Sequence, residues 1–392
     1  MQKRNYKKIV VAVDSFKGSA SSFDICRTIA NSCHEILPDC EVIEIPIADG
    51  GEGTLDSLIQ AHHNFSTNMG RICFPINILT TDPLRRPIHT HYIIDSSNTA
   101  YIELATASGL TLLNEAERNP LFTTTEGVGS MIYDALHRGC ANIVLGIGGS
   151  ATNDAGIGIL SALGFKFLDN FDTELYPCGA NLEKIHSITA PDSEILTHLK
   201  NFTILADVTN PFCGPNGAAY IFAPQKGASS EMCRSLDRGM AHFATIAQQF
   251  TGINLNQIRG GGAAGGVGAS MVAFLNAQIK SGIDFILDNA GFDSAISDAD
   301  LVITGEGKLD NQSKQGKAVS GIINRCTANG TRVIAIAGCI EEGLQLDNLH
   351  AAYCINPPGL PLHEAMKYDV TLNNIRATIH AILSNQLVIT PK

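Results

Sequence analysis

Residues Asn142 to Gly158, NIVLGIGGSATNDAGIG, constrain the fold of this chain more than any other stretch. Ile143, Val144, Leu145 and Ile147 read as a buried strand. Gly146, Gly148 and Gly149 open a turn that carries Ser150, Thr152, Asn153 and Asp154, and Ala155 to Leu163 reads as the entrance and first turns of a helix. A strand feeding a turn feeding a helix is the repeating unit of a parallel α/β sheet. The same unit binds phosphate, because small residues let backbone N–H groups approach an anion and the helix N-terminus adds partial positive charge. Hydroxyls and a carboxylate at the tip are what a Mg-nucleotide needs nearby. The alternative, less favoured, is a tight βα turn capped by Asn153 or Asp154.

The ends of the chain repeat this grammar. Lys8 to Asp14, KIVVAVD, is a continuous apolar run of the kind a central parallel strand needs, and Ser15-Phe16-Lys17-Gly18-Ser19 follows at its carboxyl end, where open α/β sheets place ligands. Ser21 to Ile36 reads as a helix and Cys40 to Ile47 as a second strand. Ala48 to Thr54 reads as a second loop at a strand end, and Leu55 to Ala61 as the next helix. Asp300 to Thr304, Arg332 to Ala337 and Ala351 to Ile355 are late strands of the same type, followed by a helix from Thr371 to Ser384. Between the ends, Cys73 to Leu79, Ile88 to Ile94 and Thr99 to Leu104 are short strands separated by turn signals, which suggests an antiparallel meander. Phe202 to Ala206 is another buried strand, closing on Asp207-Val208-Thr209-Asn210-Pro211, and Gly164 to Leu168 a further one.

The expected fold is therefore α/β with two α/β domains. One is discontinuous, with a Rossmann or flavodoxin-like parallel sheet, from residues 1–65 and 285–392. The other is an inserted mixed α/β domain from 66–284. The glycine-alanine stretch Gly260 to Gly268 reads either as a second phosphate cradle or as close helix packing over a turn.

Composition narrows the partners. With 392 residues and 44% hydrophobic content the chain has a sizeable core to bury. A net charge of -11 without a long basic run argues against nucleic acid or an anionic membrane as the main partner, and no apolar run is long enough for a transmembrane helix. Ile9 to Val13 is too short for a signal-peptide core. The 11 cysteines show no CxxC pair, so no zinc site is drawn, and free, mostly buried thiols in the cytoplasm are expected. His89 and His91 share a strand face without a third ligand, as an exposed strand face does. The oligomeric state is open, a homodimer being one option.

Several chemistries can be set aside. There is no Walker A pattern, no GxSxG elbow and no HExxH. Gly146-Ile147-Gly148-Gly149-Ser150-Ala151 does fit G-x-G-x-x-A after a strand, with Asp169 about twenty residues on, so an NAD-dependent oxidoreductase acting on a small hydroxy acid is a competing reading. Against it stands the density of hydroxyls and acids at the tip. Loops around Asp14, Asp49, Asp154, Asp207 and Glu306 each put an acid at a strand end, with Lys17, Lys308 and Lys317 close by in sequence. Phosphoryl transfer needs this mixture: carboxylates for Mg²⁺, lysines to offset phosphate charge, and one acid to orient the attacking hydroxyl. Ala223-Pro224-Gln225-Lys226-Gly227 puts a lone lysine on a tight loop.

Six segments together resemble the bacterial type I glycerate kinases. They are Asp14 to Ser19, Ala48 to Thr54, Gly146 to Asp154, Asp207 to Pro211, Pro224 to Gly227, and Thr304 to Gly307 with Asp310, Gln312, Gly316 and Lys317. They occur in order over essentially the whole chain. The resemblance implies ATP-dependent, Mg²⁺-assisted phosphorylation of D-glycerate in the cytoplasm, with 2-phosphoglycerate favoured over 3-phosphoglycerate, and two α/β domains with the active-site cleft between them. On that reading Asp14, Lys17, Asp154 and Asp207 are the catalytic candidates. Gly148, Gly149, Ser150, Thr152, Asn153, Glu306 and Lys317 are the nucleotide-binding candidates, and Asp207, Asp154 and Glu306 the metal candidates. Two departures from the family pattern are visible: Ala155 where a glycine is usual, and Ser130 where a glutamate is usual.

Overall fold

In a computed structural model of the chain, the structure describes residues 6–48, 53–55, 73–192, 194–314 and 318–384. The loop expected around Asp49, most of the helix expected from Leu55 to Ala61, and Lys317 lie outside the described residues. In chain order the described strands are β1 (Lys8–Val13), β2 (Glu41–Glu44), β3 (Cys73–Thr81), β4 (Pro87–Asp95), β5 (Thr99–Glu103), β6 (Asn142–Gly146), β7 (Lys166–Leu168), β8 (Ser187–Thr189), β9 (Asn201–Leu205), β10 (Gln278–Lys280), β11 (Leu301–Leu309), β12 (Val333–Ile340) and β13 (Ala351–Cys354). The chain divides into two compact units. Among the described residues one takes 6–48 and 283–384, the other 53–55 and 73–282.

The first unit is built on a five-stranded sheet in the order β13-β12-β11-β1-β2, with every pairing parallel. Ile9 to Val13 are completely buried, as a strand covered on both faces must be. The helix Ser22–Ile36 starts where Ser21 accepts the N–H of Asp24, and it buries Ile25, Cys26, Ile29 and Cys33. Its partner, the helix Tyr368–Leu383, adds Ile375, Ile379 and Ile382 to the same core. The early and late strands thus share one sheet.

The second unit has a six-stranded sheet, β10-β9-β6-β5-β4-β3. Its β10, β9, β6 and β5 run parallel, and β5, β4 and β3 form the antiparallel meander. The strand expected from Gly164 to Leu168 exists as β7, but it pairs only with β8 in a separate two-stranded ribbon. The helix Ser230–Thr251 buries Leu236, Met240 and Phe243, and Phe243 stacks on Phe274 with ring centroids 6.3 Å apart. His89 is exposed on β4, as a plain strand face would leave it. All 11 cysteines are unpaired, most of them buried, and among the described residues no helix is long and apolar enough to cross a membrane.

Candidate active site

In the first unit the carboxyl ends of β1, β11, β12 and β13 open into a pocket of about 540 Å³. Asp14, Ser15 and Lys17 line it after β1, Glu306, Lys308 and Asp310 at the end of β11, and Asn356 after β13. The turn after β1 is held by hydrogen bonds from Ser19 and Ala20 N–H to the Phe16 carbonyl. Gly18 takes φ +77° there, and a Cβ on it would come within 2.9 Å of Met366 Cε. This turn keeps Asp14 7% exposed, with one carboxylate oxygen accepting the Ser15 N–H at 2.6 Å, and presents Lys17 to solvent. Lys308 pairs with Asp310 at 3.3 Å. Three of the expected site residues, Asp14, Lys17 and Glu306, therefore gather in one pocket.

The second unit holds the glycine-rich turn after β6. Gly149 takes φ +72° and is exposed, and neither Gly148 nor Gly149 donates its N–H to a backbone carbonyl among the described residues. The following residues sink inward: Thr152, Asn153 and Asp154 are each 0% exposed. Asp154 uses both oxygens on protein donors. Oδ2 accepts the Thr125 N–H and hydroxyl, both at 2.8 Å, and the Gly158 N–H, while Oδ1 accepts the Gly156 N–H at 3.0 Å. Burial still outweighs these bonds and pushes its carboxyl above the usual range. The metal and catalytic roles expected for Asp154 thus fall on a fully buried carboxylate whose oxygens both accept protein donors. It is a buried brace that ties the turn to the start of the helix Glu126–His137.

The helix after the turn also departs from expectation. Ala155 and Gly156 are both left-handed, at φ 53° and 72°, so the helix is only Ile157–Ala162. The N–H groups of Gly156 and Gly158 at its entrance belong to Asp154. Any anion held here meets the turn itself, not a helix dipole. Asp169 sits at the end of β7, outside the sheet that contains β6, and accepts the N–H groups of Phe171 and Thr173 in an exposed turn. The dinucleotide fingerprint requires its acid on a strand of the same sheet, so the Rossmann match is a coincidence of spacing.

A further stretch resolves its open reading. The glycines at 260–268 are close packing. A Cβ on Gly265 would lie 2.3 Å from the Thr152 carbonyl oxygen, and the Gly265 carbonyl accepts the Ala155 N–H at 2.9 Å. Asp207 accepts the Ser281 hydroxyl at 2.8 Å and the Gly282 N–H at 3.0 Å through one oxygen. Among the described residues no three His, Cys, Asp or Glu side chains gather as a metal cage.

One residue was not singled out for the site. Lys226 is 2% exposed, and its Nζ donates to Ser150 Oγ at 2.7 Å and to the Thr152 carbonyl at 2.6 Å. Burial lowers its ammonium to about 7, partly offset by the charge of Asp154. The sequence signals were a lone lysine inside the turn Pro224 to Gly227, whose glycine takes φ +93°, and the place of that turn among the six segments of the resemblance.

Comparison with known proteins agrees on one family. The sequence profile of the glycerate kinase family matches residues 9–385. A Bacillus cereus protein named glycerate kinase is 41% identical over 378 residues, covering 95% of this chain and 96% of its own. An Escherichia coli K12 protein named glycerate 2-kinase is 39% identical over 346 residues, covering 88% of each. A crystal structure of a Salmonella typhimurium LT2 protein assigned as glycerate kinase 2 matches with a TM-score of 0.80 at 35% identity, over 97% of this chain and 98% of that one. The matches give no support to the NAD-dependent reading.

Proposed function

The chain belongs to the glycerate kinase family, and on that premise we propose that this enzyme transfers the γ-phosphoryl group of ATP to the 2-hydroxyl of D-glycerate, releasing ADP and 2-phosphoglycerate. The observation that carries this reading is the convergence of Asp14, Lys17, Glu306, Lys308 and Asp310 in one pocket at the carboxyl ends of a parallel sheet. Phosphoryl transfer asks for such a mixture of acids and lysines and for little covalent chemistry from the protein. The choice of the 2-hydroxyl follows the name of the Escherichia coli relative.

In this reading Asp14, held by its neighbour's N–H, accepts the proton of the attacking hydroxyl as the new O–P bond forms and the bond to the ADP oxygen breaks. The exposed Lys17 meets the glycerate carboxylate or the transferring group. Gly148, Gly149 and Ser150 hold an oxyanion of a reactant, because among the described residues the N–H groups at the tip donate to no backbone carbonyl. Mg²⁺, when bound, would be held by carboxylate and phosphate oxygens and would neutralise developing charge. Glu306 is the expected carboxylate whose place in the pocket suits it, and Asp14 shares that pocket. Unpaired thiols and a phosphometabolite product fit the cytoplasm.

The test is ³¹P NMR of the protein with ATP, Mg²⁺ and D-glycerate. A phosphomonoester should grow with ADP and couple to a single proton, as the 2-phosphate does. Coupling to two protons would move the product to the 3-phosphate, and intact ATP would remove the kinase reading for this substrate.

A further inference from the structure

Lys226 is a buried cation that the mechanism above leaves without a task. Its place is specified by more than one contact. The turn Pro224–Lys226 closes with the Gly227 N–H on the Pro224 carbonyl, and a Cβ on Gly227 would lie 2.2 Å from the Arg118 carbonyl oxygen. Only glycine lets the chain pass there in a left-handed conformation, and that passage sends the lysine inward. On arrival the ammonium meets two groups of the glycine-rich turn, Ser150 Oγ and the Thr152 carbonyl. From another direction, the Gly265 carbonyl binds Ala155, and Asp154 ties the end of the turn to Thr125. The turn is thus fixed at Ser150, Thr152, Asp154 and Ala155, while Gly149 faces solvent.

We propose that Lys226 is a positioning residue for an oxyanion site at Gly148, Gly149 and Ser150, holding the Ser150 hydroxyl and the Thr152 carbonyl so that the turn is set before the anion arrives. The inference rests on the reading above that this turn binds a reactant oxyanion, either a phosphoryl group of ATP or the carboxylate of D-glycerate. Two features favour an organising role over simple filling. A methionine would fill the volume without the cost of burying an amine, a cost visible in the lowering of the ammonium to about 7. The same turn also buries Thr152 Oγ1 and Asn153 Oδ1 without a hydrogen-bond partner among the described residues, so it is held in one arrangement at the expense of local satisfaction. Donors fixed in advance need no rearrangement as charge develops, which is where such sites gain rate.

The experiment compares Lys226→Met, Lys226→Gln and Ser150→Ala with the parent enzyme by steady-state kinetics, varying ATP and D-glycerate separately. Methionine removes both hydrogen bonds, whereas glutamine restores a neutral donor. The expected result is a folded Lys226→Met enzyme with kcat/KM reduced about a hundredfold, a loss shared by kcat, and at least a tenfold recovery in Lys226→Gln. The substrate whose KM rises more is the one that supplies the oxyanion. If Lys226→Met fails to fold, Lys226→Gln and Ser150→Ala carry the test, with a loss in kcat/KM of at least tenfold in Ser150→Ala and of about three- to tenfold in Lys226→Gln. Near-parental kcat and KM in folded Lys226→Met, or in both other variants, would overturn the proposal. If the parent enzyme shows no turnover, the kinase reading fails. Lys226 is then judged by calorimetric titration of ATP and of D-glycerate, in which weaker binding of one of them to Lys226→Met sustains the site and equal binding of both removes it.

Discussion

Replacing Lys226 by methionine should change how the stability of the protein depends on pH, and the size of the change follows from the burial of one nitrogen. Burial takes the ammonium from 10.5 to about 7. The folded value lies below the unfolded one, so between them the unfolded chain binds more protons and stability rises with pH. Below about 7 the full penalty of the buried charge is present. At 1.36 kcal/mol per unit, the parent protein should gain about 3 kcal/mol from this group between pH 6 and pH 9. The methionine variant has no such group. It loses the donors to Ser150 and Thr152, a cost of about 1–3 kcal/mol that does not depend on pH. Urea unfolding of both proteins under reducing conditions at half-unit steps from pH 6 to 9 gives the difference, followed by far-UV circular dichroism because the chain has no tryptophan. The parent should be clearly more stable at pH 9, with the difference shrinking or reversing at pH 6. Parallel curves, within about 0.5 kcal/mol across the range, would refute the reasoning and place the amine in contact with water.

Other outcomes follow from the same geometry. Asp154→Asn should cost about 2–4 kcal/mol, because an amide NH₂ facing Thr125 and Gly158 presents donors to donors; an unchanged urea midpoint would return Asp154 to the catalytic candidates. Asp14→Asn should behave oppositely, with stability within about 1 kcal/mol of the parent and turnover down by two orders of magnitude or more, and a kcat within threefold would strike Asp14 as the base. Lys17→Ala should raise a substrate KM about tenfold through a lost charged contact, seen in the same assays, and unchanged KM and kcat would take it out of the site. Gly265→Ala should destabilise by about 2–5 kcal/mol, since it adds a Cβ 2.3 Å from the Thr152 carbonyl at φ +68°; a native melting temperature would mean that the turn yields there.

The parallel strands were legible because burial on both faces leaves an unbroken apolar run, as in Ile9 to Val13. Glycine was the misleading letter. Gly305 and Gly307 read as the start of a loop, yet β11 continues through them to Leu309, paired with β12 to Ile340. A Cβ on Gly305 would lie 2.2 Å from the Ile336 carbonyl oxygen, so this glycine marks close approach of backbones, as do Gly262 and Gly265. Spacing alone does not distinguish a glycine that frees the chain from one that admits a neighbour.

The same limit governs the acids and lysines, and it decides which of them can do chemistry. Asp14 and Asp154 look alike in sequence: each follows a parallel strand, beside hydroxyls and glycines. One ends at the wall of a pocket with 7% of its surface exposed, and the other disappears beneath a turn with its oxygens occupied. What separates them is the position of Thr125, nearly thirty residues before Asp154, whose N–H and hydroxyl it takes. Lys17 and Lys226 divide in the same way. Lys17 reaches solvent from a turn of its own making, while Lys226 meets partners more than seventy residues away. A residue type fixes what a group can do, but its reach to a reactant is set by long-range packing. The acid and the lysine at the bottom of the turn are therefore expected to act on substrate only through Ser150 and the backbone above them.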